Sequence, residues 1–437
     1  MRKNWKALLV VAVLSLVFIT GCGGNDTSST NDTSESDASS TSTGNGTGSS
    51  SEATEKITIA VWNEPNPNEE LNMYAQCEKA TGIDVEVTVI PESEYSSKLN
   101  QMVATGDDSI DIYVIWENDI SNFAQVQGID PMDDYLKDSS INTDDFIDAV
   151  AKLSDGLGGT YGLPWCAATE IMFYNQDMFD AVGLEYPTND WTYEEYLQAV
   201  EKLTVKAADG TTEVYGSALP NVQTWWAGIG GAGDQVYDPE TGQLVIGDGA
   251  ISFIDDCKTM VENGFMPEPS SDTADLFAAG KAAISWQGSW NIGTYGDELA
   301  FNWDIATIPT DEIKYNTLHT GFYSINSKSQ KKDAAFKVIE YLMGEEGQTI
   351  NSKASGNPSA IKSIADKGAW KVETAVTIDN WDAMTDSLAS GVFGYTCLPS
   401  GVTNNAIGDF EAAVLGQLTP EQAVENSSQY AKETIGY

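Results

Sequence analysis

The chain has 437 residues, with 66 Asp and Glu against 22 Lys and Arg and a formal net charge of −44 at pH 7. Nucleic-acid binders need basic patches to replace counterions, so that class is disfavoured, and an anionic ligand is disfavoured with it. One histidine, and five scattered cysteines without a Cys-x-x-Cys pair, leave zinc sites and Cys–His nucleophiles without ligands or a base, and no metal or cofactor is expected.

At the N-terminus, Arg2, Lys3 and Lys6 precede an apolar run from Ala7 to Ile19, the charged-then-apolar layout of a secretory signal peptide. The run is short for a bilayer span. Ile19-Thr20-Gly21-Cys22 resembles a bacterial lipobox, which implies cleavage after residue 21 and lipid on Cys22. An uncleaved anchor is the alternative, and either arrangement leaves the remaining chain outside the cytoplasmic membrane. From Gly23 to Thr54 the residues are Ser, Thr, Gly, Asn, Asp, Glu and Ala, too polar to offset chain entropy. Residues 22–55 therefore read as a lipidated tether, with a typical reach on the order of 30 Å.

The folded body is expected from Lys56 to Tyr437, long enough for two domains. Ile57–Trp62 reads as a strand, Glu69–Thr81 as a helix stopped by Gly82, Ile83–Ile90 as a strand, Tyr95–Thr105 as a helix stopped by Gly106, and Ile110–Trp116 as a buried strand. That alternation opens an α/β sheet. A second such unit follows Gly162-Leu163-Pro164-Trp165. It has a strand at Ile171–Asn175, a helix at Gln176–Val182, and a helix opened by the capping box Thr192–Glu195. Trp225 and Trp226 fall in a glycine-rich loop, Tyr237–Leu244 in a hairpin turn, Ala274–Ala279 in a helix, and Lys281–Trp286 and Trp303–Pro309 in strands. Helices over Lys332–Met343, Glu345–Ser352, Ile378–Ala389, Asn405–Leu415 and Thr419–Ile435 close the chain. Cys77, Cys166, Cys257 and Cys397 give no disulfide framework and are expected as buried thiols. The acidic run Asp130–Asp148 lacks calcium-loop spacing and reads as a solvated face, Asp111 as a cap, and His319 as a hydrogen bonder in a crossing segment.

These elements, in this order, resemble the extracellular sugar-binding proteins of ABC importers, the family that includes maltose-binding protein. The resemblance rests on Ile57–Trp62; Gly162-Leu163-Pro164-Trp165 followed by Phe173–Phe179; Trp191–Thr204; Phe277–Ile284 with Gly288-Ser289-Trp290; and Gly321–Ile325 leading to Lys332–Phe336. It implies an α/β, two-lobed, type II binding-protein fold with the ligand in the cleft between lobes. Carried over, one lobe comprises 56–167 plus 308–357 and the other 168–307 plus 358–437. It also implies hinge closure on a carbohydrate, delivery to permease subunits with their ATPase, and no chemistry on the ligand. A monomer is expected, held by the lipid on Cys22 at the outer face of a cell that lacks an outer membrane.

Sugars present apolar faces and hydroxyls, which call for aromatic platforms and hydrogen-bonding side chains beyond the carboxyl ends of strands. The candidates are Trp62, Asn63 and Glu64 after the first strand; Trp116 and Glu117 after the third; Glu170 at the lobe crossing; Trp226 in the glycine-rich loop; Trp286, Gln287 and Trp290 after the Lys281 strand; Gly321; and Trp381 and Tyr395 near the C-terminus. Several platforms spread over the cleft favour an oligosaccharide. The alternatives are a polyamine or other small solute on the same fold, a surface glycoside hydrolase with paired carboxylates, and an adhesin or sensor without a transporter.

Overall fold

The computed structural model describes residues 55–151, 153, 157–270, 275–310 and 313–437. Both the Cys22 region and the 23–54 segment lie outside these residues. In chain order the strands are β1 (Lys56–Val61), β2 (Asp84–Val89), β3 (Ile112–Trp116), β4 (Ile129–Asp130), β5 (Leu163–Pro164), β6 (Ala168–Asn175), β7 (Val205–Lys206), β8 (Thr212–Ser217), β9 (Val236–Asp238), β10 (Gln243–Val245), β11 (Ala282–Gly288), β12 (Trp303–Ala306), β13 (Asn316–His319), β14 (Gly321–Asn326) and β15 (Gly391–Val392). They form two large sheets and the small β9–β10 hairpin.

The first sheet runs β2-β1-β3-β14-β4, with β5 also on β14. Strands β1, β2 and β3 are parallel, and the helices Met73–Thr81 and Glu92–Thr105 make the crossovers. Gly82 and Gly106 end those helices in the left-handed conformation that only glycine adopts without strain. Side chains alternate across the sheet. Ile57, Ile59, Ile112 and Val114 face one core with the helix Lys332–Met343, while Ala60, Tyr113 and Ile115 face another with Tyr95, Leu99 and Phe123.

The second sheet runs β15-β13-β6-β11-β8-β7, with β12 also on β6. Met172 and Tyr174 of β6 face one core with Trp225, Trp226 and Phe410, and Ile171 and Phe173 face the other with Trp303, Tyr295 and Met384. β13 is hydrogen-bonded in this second sheet and β14 in the first. The chain therefore returns at Thr320, beyond the boundary expected at 308. Further on, Ile361 and Ile364 still pack in the first sheet's core, and Trp370 in the second's.

Two local expectations need correction, and one element was not expected. Trp225 and Trp226 lie in a helix, Thr224–Gly231, and not in a loop. Its glycines permit close packing, since a Cβ on Gly228 would sit 2.1 Å from the Phe253 ring and one on Gly230 2.2 Å from Tyr315. Asp275–Gly280 is a turn and not a helix. The Asp275 carboxylate accepts from the Phe277 and Ala278 amides, and Gly280 takes a positive φ. The longest unanticipated element is the helix Asp248–Glu262, whose first turn is held by Asp234 accepting from the amides of Gly247, Gly249 and Ala250.

Asp111 is a cap, accepting from Thr58 N at 3.0 Å and Ser329 Oγ at 2.6 Å and pairing with Lys331. In the acidic run, Asp130, Asp134 and Asp148 pair with Lys332, Lys137 and Lys362. Cys77, Cys166 and Cys257 are buried free thiols, and Cys397 is a half-buried one.

Candidate ligand-binding site

Two neighbouring segments carry the chain between the sheets: Trp165–Ala167, from β5 to β6, and Thr320, from β13 to β14. They are laced together. Trp165 N donates to Gly321 O at 3.1 Å, Thr320 Oγ1 to Cys166 O at 2.7 Å, and Thr169 Oγ1 to Thr317 O at 2.9 Å. A third segment joins them, with Ala167 N donating to Pro358 O at 2.9 Å and Ser289 Oγ to Asn357 Oδ1 at 2.6 Å.

At this crossing His319 bridges two carboxylates. Its Nδ1 lies 3.0 Å from Glu117 Oε1, just past β3 of the first sheet, and its Nε2 lies 2.8 Å from Glu170 Oε1 on β6 of the second. The three side chains are 13, 8 and 0 % exposed. Burial by itself would push the imidazole towards its neutral form. Hydrogen bonds to Glu117 and Glu170, and their charges, outweigh it and raise His319 to about 10. Glu117 Oε2 sits 3.4 Å from the Thr320 amide, whereas the buried Glu170 Oε2 has no hydrogen-bond partner among the described residues.

Aromatic rings flank the bridge on both sides. On the first sheet's side, Trp62 lies 5.1 Å from Trp116 and 6.4 Å from Trp165, and all three are half-buried. On the second sheet's side, Trp290 meets His319 edge to face at 5.3 Å, and Tyr395 meets it at 5.8 Å. Trp226 then stacks on Tyr395. Flat apolar faces beside fixed carboxylates are the chemistry that a hydroxyl-bearing ring can use.

Of the residues singled out from the sequence, Glu117, Glu170, Trp290 and Tyr395 are brought together at the bridge, Trp226 stands behind Tyr395, and Trp62 and Trp116 form the opposite group. Gly321 allows Trp165 to approach, since a Cβ there would lie 2.5 Å from Trp165 Nε1. Asn63 and Glu64 are exposed on the loop after β1. Trp286 is packed in the core against Tyr196 and Phe253, and Gln287 is engaged by Asn221 Nδ2 at 2.9 Å. Trp381 packs on Trp370 beside the opposite core. Trp165 is not among the residues singled out from the sequence; its place at the end of the Gly-Leu-Pro-Trp segment, between two strand runs, is the signal that points to it.

The model of a bacterial extracellular solute-binding protein family matches residues 72–400. A binding protein of Brucella abortus is 25% identical over 277 residues, covering 60% of this chain and 64% of that protein, so the match spans less than two thirds of the relative. The galactooligosaccharide-binding protein of Bacillus subtilis is 22% identical over 296 residues, 63% of this chain and 66% of that one. Among solved structures, an ABC substrate-binding protein of Listeria monocytogenes in complex with cycloalternan superposes with a TM-score of 0.77 at 23% identity, over 88% of this chain and 100% of that one. The two sheets described above are thus the two α/β lobes of a type II binding-protein fold, joined by the crossing segments around His319. The family match covers most of the chain, and this protein belongs to the bacterial extracellular solute-binding proteins.

Proposed function

We propose that the protein captures a carbohydrate, an oligosaccharide, between its two lobes and delivers it to the permease of an ABC importer. The observation that carries this reading is the Glu117–His319–Glu170 bridge, which draws its carboxylates from both sheets and is flanked by half-buried tryptophans. A ligand contacting both sides favours the closed arrangement by its differential affinity, and no bond is made or broken. The galactooligosaccharide-binding relative and the cycloalternan complex support the ligand class. Lipid on Cys22, a 1–21 signal peptide, a monomeric state and residence at the outer face of the cell membrane belong to the same proposal and rest on the sequence alone.

A thermal-shift screen of neutral oligosaccharides tests the reading, because ligand at a hundred times its dissociation constant adds about 2.7 kcal/mol. Stabilisation without turnover supports it, and hydrolysis of the sugar sinks it in favour of the hydrolase. The negative charge of the bridge favours a second reading, a polyamine ligand. Spermidine in the same screen separates the two.

A further inference from the structure

Glu117 and Glu170 belong to different sheets, yet opposite nitrogens of one ring hold them at 3.0 and 2.8 Å. A neutral imidazole carries one N–H and can donate to only one carboxylate; serving both requires both nitrogens to be protonated. The other groups around the ring add no positive charge. Tyr395 of the C-terminal segment, Cys166 of the crossing and the nearby Cys397 all hold their protons more tightly, first through burial and then through the negative charge of the two glutamates, or of Glu117 alone for the cysteines. The Trp290 ring, perpendicular to the imidazole, and the Thr317 hydroxyl, 3.5 Å from Nε2, complete the surroundings. No Lys or Arg pairs with either carboxylate among the described residues. One cation between two carboxylates leaves a surplus negative charge, and the wholly buried Glu170 Oε2 is an acceptor still lacking a donor.

We propose that His319 is a positioning and specificity-determining residue: by fixing Glu117 of one lobe against Glu170 of the other, it leaves Glu170 Oε2 as the acceptor for the ligand beside the charge of Glu117, so that the site takes neutral or amine-bearing sugars and rejects acidic ones. This rests on the carbohydrate reading above. Hydroxyl and ammonium groups donate to such an oxygen, whereas a uronate or sialate carboxylate meets like charge in a site of low polarity.

The test has two arms, both on the full chain. The protein has a single histidine, so ring-labelled histidine gives one ring signal in nuclear magnetic resonance. Both ring nitrogens are expected to carry protons at about pH 7.5, where an unperturbed histidine is mostly neutral. A neutral ring there overturns the proposal whatever the ligand is. In the second arm, galactobiose, the glucosamine dimer and digalacturonate are titrated calorimetrically into the wild type, His319→Gln and Glu117→Gln. Galactobiose or the glucosamine dimer is expected to bind the wild type at least about tenfold more tightly than digalacturonate, a difference of about 1.4 kcal/mol. Glu117→Gln keeps the side-chain shape and removes the surplus charge, and should erase most of that preference; His319→Gln should weaken the preferred probe. Preferential binding of digalacturonate, or a preference unchanged in Glu117→Gln, overturns the proposal and leaves the carbohydrate reading standing. Binding of no probe counts against the carbohydrate reading, and the ring signal then decides the state of His319 alone.

Discussion

Trp226 and Tyr395 stack with ring centroids 5.5 Å apart and planes 13° from parallel. The stack ties the helix Thr224–Gly231 to the C-terminal segment, and Tyr395 also meets the His319 ring at 5.8 Å. Tyr395→Ala should therefore cost about 3–5 kcal/mol, the usual range for truncating a buried aromatic. Tyr395→Phe should keep the stack and nearly all the stability. Urea unfolding of both variants decides this, and equal midpoints would remove the stack from the account.

Trp290 is half-buried and stands perpendicular to the His319 ring at the bridge, where it is placed to serve as a platform for a ligand. Trp290→Ala should lower affinity for whichever sugar stabilises the wild type by about tenfold or more, roughly 1.4 kcal/mol. Gly288→Ala should act in the same direction, because a Cβ there would lie 2.1 Å from the Trp290 ring and displace it. Calorimetric titration checks both, and unchanged affinity in both would take Trp290 out of the site.

Gly228 faces Phe253 at a distance no side chain can occupy. Gly228→Ala is expected to destabilise by about 1–3 kcal/mol through overpacking, despite alanine's better helix propensity. Combining it with Phe253→Leu should recover part of the loss. A stabilised single variant would show that the helix has room to shift.

Raising His319 to about 10 makes the bridge a pH-dependent contribution to stability. A group whose proton affinity is raised on folding stabilises fully below its unfolded value, near 6.5, and that contribution is lost as pH climbs through about 10. Wild type should thus lose stability relative to His319→Asn between about pH 7 and 10, by an amount on the order of a few kcal/mol. Unfolding curves of the two proteins at several pH values measure the difference, and parallel behaviour would contradict it.

Cys22 lies far in sequence from every residue of the bridge. Cys22→Ala should release the protein from membranes while leaving ligand affinity in solution unchanged. Fractionation and calorimetry give the two readouts, and lost affinity in solution would overturn the tether reading.

Much of the local structure was legible. The helix Gln176–Val182, the capping box at Thr192, the helix start at Thr419, and the stops at Gly82 and Gly106 follow from residues within a few positions of one another. Hydrogen bonds between near neighbours set such features, so the sequence carries them openly. The apolar runs of β1 and β3 and the alternation through β2 likewise made the first sheet's parallel strands legible. The helix Thr224–Gly231 was not legible, because its glycines are loop-like by propensity and become an advantage only when Phe253 and Tyr315 need the space.

The aromatic candidates divide for the same reason. Trp286 and Trp290 are four residues apart, yet one is sealed under Tyr196 and Phe253 and the other stands at the bridge. Composition and periodicity determined that this chain is strongly acidic, α/β, and rich in tryptophans at strand ends. Only the tertiary structure decided which of them meet at one place. His319 lies 202 residues from Glu117 and 149 from Glu170, and the packing of two sheets, not any local pattern, brings one ring between them.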